Sequence, residues 1–193
     1  MNSERSLTVP WHEAAADRWL TPGRFSTILA ILIFMAYPDV VLGIRTFGFR
    51  DFAIFGHPLA FYFRESFWRA EIPLWNPLNN CGIPFLAQWN TLVIYPGSLF
   101  LLILPLPWSL GIFCLAHAGL GGLGMYHLVR RWAGTRMGAA LAGIAFVFNG
   151  MTLNCLMWPA VTATFGGNMA KEFKITSLPS IHGSRVDEDA PPK

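Results

Sequence analysis

Apolar residues in this chain gather into long blocks, and three of them reach the length of a bilayer crossing. Phe25 to Gly43 (FSTILAILIFMAYPDVVLG) is nearly unbroken until Pro38 and Asp39. At about 1.5 Å of rise per residue it is long enough for a hydrocarbon core of roughly 30 Å. Ser109 to Val129 and Met137 to Trp158 are long enough as well. In Val93 to Trp108 the unbroken core between Pro96 and Pro105 is too short, so this segment is predicted to dip into the membrane from outside. Ile44 to Leu92 carries Arg45, Arg50, Asp51, Arg64, Glu65, Arg69 and Glu71. Each would cost about 2.5–3.5 kcal/mol at mid-bilayer, so that stretch does not cross. Within it, Leu59, Phe63, Phe67 and Ala70 recur at helical spacing and predict an interfacial amphipathic helix over 58–70. Pro73, Pro77, Gly82 and Pro84 then impose an ordered surface loop. After Thr164 the pattern stops, and residues 165–193 read as a disordered polar tail.

The expected fold is therefore an all-α integral membrane protein of about three transmembrane helices, with interfacial or re-entrant helices in a large first extracytoplasmic loop. Composition agrees: 53% of the 193 residues are hydrophobic and 13% charged, against roughly 25% charged in soluble domains. The net charge of +3 is modest and the arginines flank apolar runs. That is a topology signal, and it argues against nucleic acid as a partner. If 93–108 does not cross, Arg130, Arg131 and Arg136 fall on the same side as Arg5, Arg18 and Arg24. Basic loops stay inside, so residues 1–24 are expected in the cytoplasm, 25–164 form the membrane domain, and the loop 44–108 is extracytoplasmic. The first apolar block exceeds the roughly 7–15 residues of a cleavable signal and lacks a small-residue cleavage site, which favours a retained anchor.

Gly119, Gly121 and Gly124 match GxGxxG, but no strand precedes them. Inside an apolar span such residues serve close helix packing, as do the pairs Ala118/Gly122 and Ala139/Gly143. His117 and His127 are ten residues apart, without metal-pair spacing, and are expected to form structural hydrogen bonds; Asn149 and Asn154 are read as interhelical glue. Cys81, Cys114 and Cys155 suggest neither a disulfide framework nor a metal site. The chemistry lies in the loop, where Trp68, Trp75 and Trp89 accompany Asn76, Asn79, Asn80, Gln88 and Asn90. Aromatic faces with amides suit a sugar, and they equally suit an interfacial aromatic belt.

Three stretches resemble the N-terminal part of the YfhO-type bacterial membrane proteins, relatives of the polytopic lipid-dependent glycosyltransferases called GT-C. They are RDFAIFGHPLAFYFRESFWRAEIPLWNPLNNCGIPFLAQWN, YPGSLFLLILPLPWSLGIF and HAGLGGLGMYHLVRRWAGTRMGAALAGIAFVFNGM, within Phe25 to about Thr164. The resemblance implies a multi-pass protein of the bacterial plasma membrane that transfers a sugar from a polyprenyl-phosphate carrier to an envelope acceptor. Asp51 is the matching acid, with Asp39 second. Arg50, Arg64 and Arg69 would hold phosphate or pair with Asp51, Glu65 and Glu71, and Trp75 and Asn76 would face the sugar. No cofactor is implied, and a divalent metal stays open. Relatives continue through further spans, so the expectation is an N-terminal fragment inactive on its own. A non-catalytic membrane protein and a lipid or solute transporter component are the alternatives.

Overall fold

Proline and capping residues decide where the helices begin and end. The computed structural model describes residues 19–48, 51–79, 81–156 and 158–164. The predicted tail 165–193, most of the N-terminal segment 1–24, and Arg50 lie outside the described residues. Helix α1, Pro22–Ala36, starts where the Thr21 side chain accepts the Arg24 amide and Pro22 occupies the first turn, a position where a missing N–H costs nothing. It ends at Tyr37 because Pro38 can neither donate to the ladder nor let its predecessor stay helical. Four further residues form α2, Pro38–Val41. The predicted span 25–43 is thus two helices, and α1 alone measures about 22 Å.

A π-helical turn, Phe52–Gly56, leads into α3, His57–Trp68. Leu59, Ala60, Phe63 and Ser66 of α3 are buried, while Phe67 and Ala70 are exposed. The inward face is therefore rotated from the one predicted, because α3 packs on the protein's own helices. Strands β1 (Trp75–Asn76) and β2 (Ile83–Pro84) pair antiparallel, Trp75 opposite Pro84 and Asn76 opposite Ile83. Two short 3₁₀ turns, Trp89–Thr91 and Pro96–Ser98, precede α4, Leu99–Ile103. At about 7.5 Å α4 is far shorter than a crossing. The end of the predicted dipping segment, from Leu106, already belongs to α5.

Helix α5, Leu106–Ala133, runs for 28 residues, about 42 Å. Among the described residues its segment Leu106–Trp132 is the one helix long and apolar enough to cross a bilayer. Gly134 ends it in the left-handed conformation, φ 74°, which favours glycine. After Thr135 the chain reverses into α6, Arg136–Phe148. The predicted span 137–158 is interrupted at Asn149, whose side chain caps a new helix, α7, Gly150–Cys155. Asn149 Oδ1 accepts from the Thr152 amide at 2.8 Å, and Nδ2 donates to Phe146 O at 2.6 Å. The amide is thus occupied locally and not between helices. Residues 159–164 are again helical.

Small residues bring α5 and α6 together. A Cβ built on Gly143 would stand 2.7 Å from Gly122 O, and one on Gly122 would stand 2.5 Å from Val147 Cγ2. Helices α1 and α2 lie antiparallel to α5, with Phe25 stacked on Tyr126 at 4.5 Å, Ile33 against Gly119 and, from α2, Val40 against Gly111. The Tyr126 hydroxyl donates to Leu20 O at 2.8 Å and pins the entry to α1. At the other end Trp108 Nε1 donates to Val41 O at 2.9 Å. The result is a layered α1, α5, α6 core with α3 and α4 packed on α5.

Candidate functional site

The turns that start α3 and α5 meet the chain's final described residues and enclose a recess of about 60 Å³. Asp51, at the mouth of the π-helical turn, lines it with Trp89 and Asn90 of the 3₁₀ turn and Trp158 at the end of the α7 segment. Gly56 makes the approach possible: a Cβ there would stand 3.2 Å from Pro159. Leu59, Leu101 and Leu110 form an apolar floor. Asp51 is half-buried, and among the described residues no ion pair or side-chain hydrogen bond engages it. Asn90 Oδ1 is buried without a hydrogen-bond partner among them. A carboxylate and an amide side chain thus line a small cleft edged by two indoles. That set can accept protons or hydrogen bonds from hydroxyl groups.

The other residues singled out from the sequence sit elsewhere. Arg64 Nη1 donates to Leu101 O at 3.3 Å and to Leu104 O, so it closes the C-terminal carbonyls of α4. Arg69 pairs with Glu65 at 3.4 Å, both exposed. Neither lines the recess. Asn76 is buried and its Oδ1 accepts the Leu78 amide at 2.9 Å, an Asx turn that shapes the hairpin. The Trp75 indole lies over Gly82, and the Trp75 carbonyl accepts the Tyr62 hydroxyl at 2.7 Å. Asp39 pairs with Arg45 at 3.7 Å on the surface. Trp158 is the wall residue the sequence reading did not group with Asp51. Its signal was its place at the far end of the third apolar block, level with the loop.

A second polar cluster joins the loop to α5. His117 Nδ1 lies 2.7 Å from Phe113 O, a carbonyl that can only accept, so Nδ1 carries the proton. Nε2 then accepts the Tyr95 hydroxyl at 2.6 Å. Burial raises the Tyr95 hydroxyl above its ordinary pKa, which keeps it a donor. This is the structural hydrogen bonding expected of His117. Among the described residues no three His, Cys, Asp or Glu side chains converge on a metal-sized site. No protein-family model, curated protein or solved structure matches the chain.

Proposed function

We propose that the chain is a multi-pass membrane protein of glycosyltransferase type, in which Asp51 takes the proton of an acceptor hydroxyl as a sugar leaves a polyprenyl-phosphate carrier. The observation that carries the reading is the meeting of Asp51, Trp89, Asn90 and Trp158 around one recess. A phosphate-linked sugar has a good leaving group, so the two carboxyl groups of a glycosidase are not needed, and one base suffices. The indole faces suit the apolar face of a sugar ring, and the Asn90 amide lines the same recess. In this reading α5 crosses the bilayer whole. Helix α1 with α2, and α6 with α7, cross as broken helices whose freed backbone groups are met by protein, as Asn149 does at its break. The arginine end faces the cytoplasm of a bacterial plasma membrane and the recess faces outward.

The test is photolabelling. Membranes containing the chain are irradiated with a polyprenyl-phosphate sugar bearing a photoreactive group on the sugar, and labelled peptides are mapped. Label is expected on the segments around 89–92 and 158–160, competed by unlabelled donor. Asn90→Leu is expected to weaken competition about three- to tenfold, the worth of one hydrogen bond. Asp51→Asn should leave seating within about threefold, and in a full-length relative carrying this loop the same change should lower transfer about 100-fold. Label that maps elsewhere, or that competitor does not displace, removes the reading. A transporter component is the second reading, favoured by the helix breaks at Tyr37 and Asn149; net movement of the labelled lipid across proteoliposomes, without transfer, would select it.

A further inference from the structure

We propose that the groove between α1 and α6 seats an anionic phospholipid of the cytoplasmic leaflet, an inference that rests on the membrane reading above. The groove has a volume of about 550 Å³, within the roughly 300–1,000 Å³ of ligand clefts. Phe25 and Ile28 form one wall, Ala140, Leu141 and Ile144 the other, and Trp19 stands at its end. Its lining is almost wholly hydrocarbon, so a free anion has nothing to hold it there, whereas an acyl chain does.

The charge at the groove's end selects the headgroup. Helices α1 and α6 both run antiparallel to α5, so both direct the positive end of their dipole to the same side. Arg24 projects from the first turn of α1, its guanidinium 5.3 Å over the Trp19 ring with one N–H given to Trp19 O. The fork has five donors, so others are left for a phosphate. Arg136 opens α6, one residue before the groove-lining Met137. Arg130 lies one turn beyond Tyr126 on α5, and its Nη1 is buried without a hydrogen-bond partner among the described residues. No acidic residue occurs in 19–36 or 106–148, so the helices that frame the groove carry basic and no acidic side chains. Trp19 at the groove's end has the amphipathic character of a headgroup-level anchor.

The experiment is native mass spectrometry of the whole chain released from nanodiscs of equal phosphatidylglycerol and phosphatidylcholine. Wild type is expected to retain phosphatidylglycerol preferentially, and the preference should fall about tenfold in Arg24→Gln/Arg136→Gln, since each surface arginine contributes appreciably to anionic-lipid binding. Arg24→Lys/Arg136→Lys, which keeps the charge, should restore most of it and shows that folding is intact. Equal retention of the two lipids by a chain that resists alkaline extraction from membranes overturns the lipid site alone. Release of the chain by alkaline extraction overturns the membrane reading and the site with it.

Discussion

At Gly143 one missing methyl group sets the spacing of two helices. A Cβ there would stand 2.6 Å from Phe25 Cζ and 2.7 Å from Gly122 O, and a backbone oxygen inside a helix cannot step aside as a side-chain tip can. Gly23, in the first turns of α1, has nothing within 4 Å of its virtual Cβ. The same substitution therefore has opposite expected signs. Gly143→Ala should lower stability by about 1–3 kcal/mol through overpacking. Gly23→Ala should raise it by about 0.5–1 kcal/mol by reducing the freedom of the unfolded chain. Thermal unfolding of the detergent-solubilised protein, followed by far-ultraviolet circular dichroism, reads both. Equal shifts for the two variants would show that the α5–α6 contact is looser than described. The small-residue pairs were legible in the sequence because a helix repeats every 3.6 residues. What spacing could not show is that Gly122 and Gly143 face each other, since that depends on the two-residue reversal at Gly134 and Thr135.

Helices as elements were legible in content and less so in extent. Hydropathy sums the apolar character of a block, whereas a helix ends where its ladder of hydrogen bonds ends, and the two differ at Pro38 and Asn149. Pro38 interrupts the first block visibly, yet its effect is to split one expected span into α1 and α2. Asn149 stands three residues before Thr152, the spacing of an N-cap, and both of its amide atoms are engaged there. Asn149→Ala is therefore expected to cost about 1 kcal/mol and to speed amide exchange in 150–155 without changing 106–133. Unchanged exchange in 150–155 would show that α7 is held by packing and not by its cap. The predicted amphipathic helix formed, but which face turned inward followed from its protein neighbours α4 and α5 and not from a bilayer surface alone.

At the scale of the described molecule, the carboxylates are confined to one stretch of chain. The described carboxylates, Asp39, Asp51, Glu65 and Glu71, all belong to residues 39–71, while Arg130, Arg131 and Arg136 gather at the α5–α6 reversal. The recess was half legible for the same reason. Asp51, Trp89 and Asn90 were recognisable as loop chemistry, but Trp158 joins them only because the third apolar block returns to that end. Trp75 and Asn76 look alike in sequence and are instead committed to the hairpin. If the chain crosses the bilayer three times with its N-terminus inside, the hairpin and the reversal must lie on opposite sides. Cys81 offers a native probe, exposed beside β2, whereas Cys114 is buried. Thr135, exposed in the reversal, takes an introduced cysteine in a background where Cys81 is alanine. With Cys155 replaced by alanine in both proteins, a membrane-impermeant maleimide added to intact cells should modify Cys81 and leave Thr135→Cys untouched until the membrane is permeabilised. The opposite pattern would invert the protein and put the Asp51 recess in the cytoplasm, out of reach of an envelope acceptor. Modification of both sites in intact cells would remove the crossing by α5, because along the chain that helix is the long one between Cys81 and Thr135.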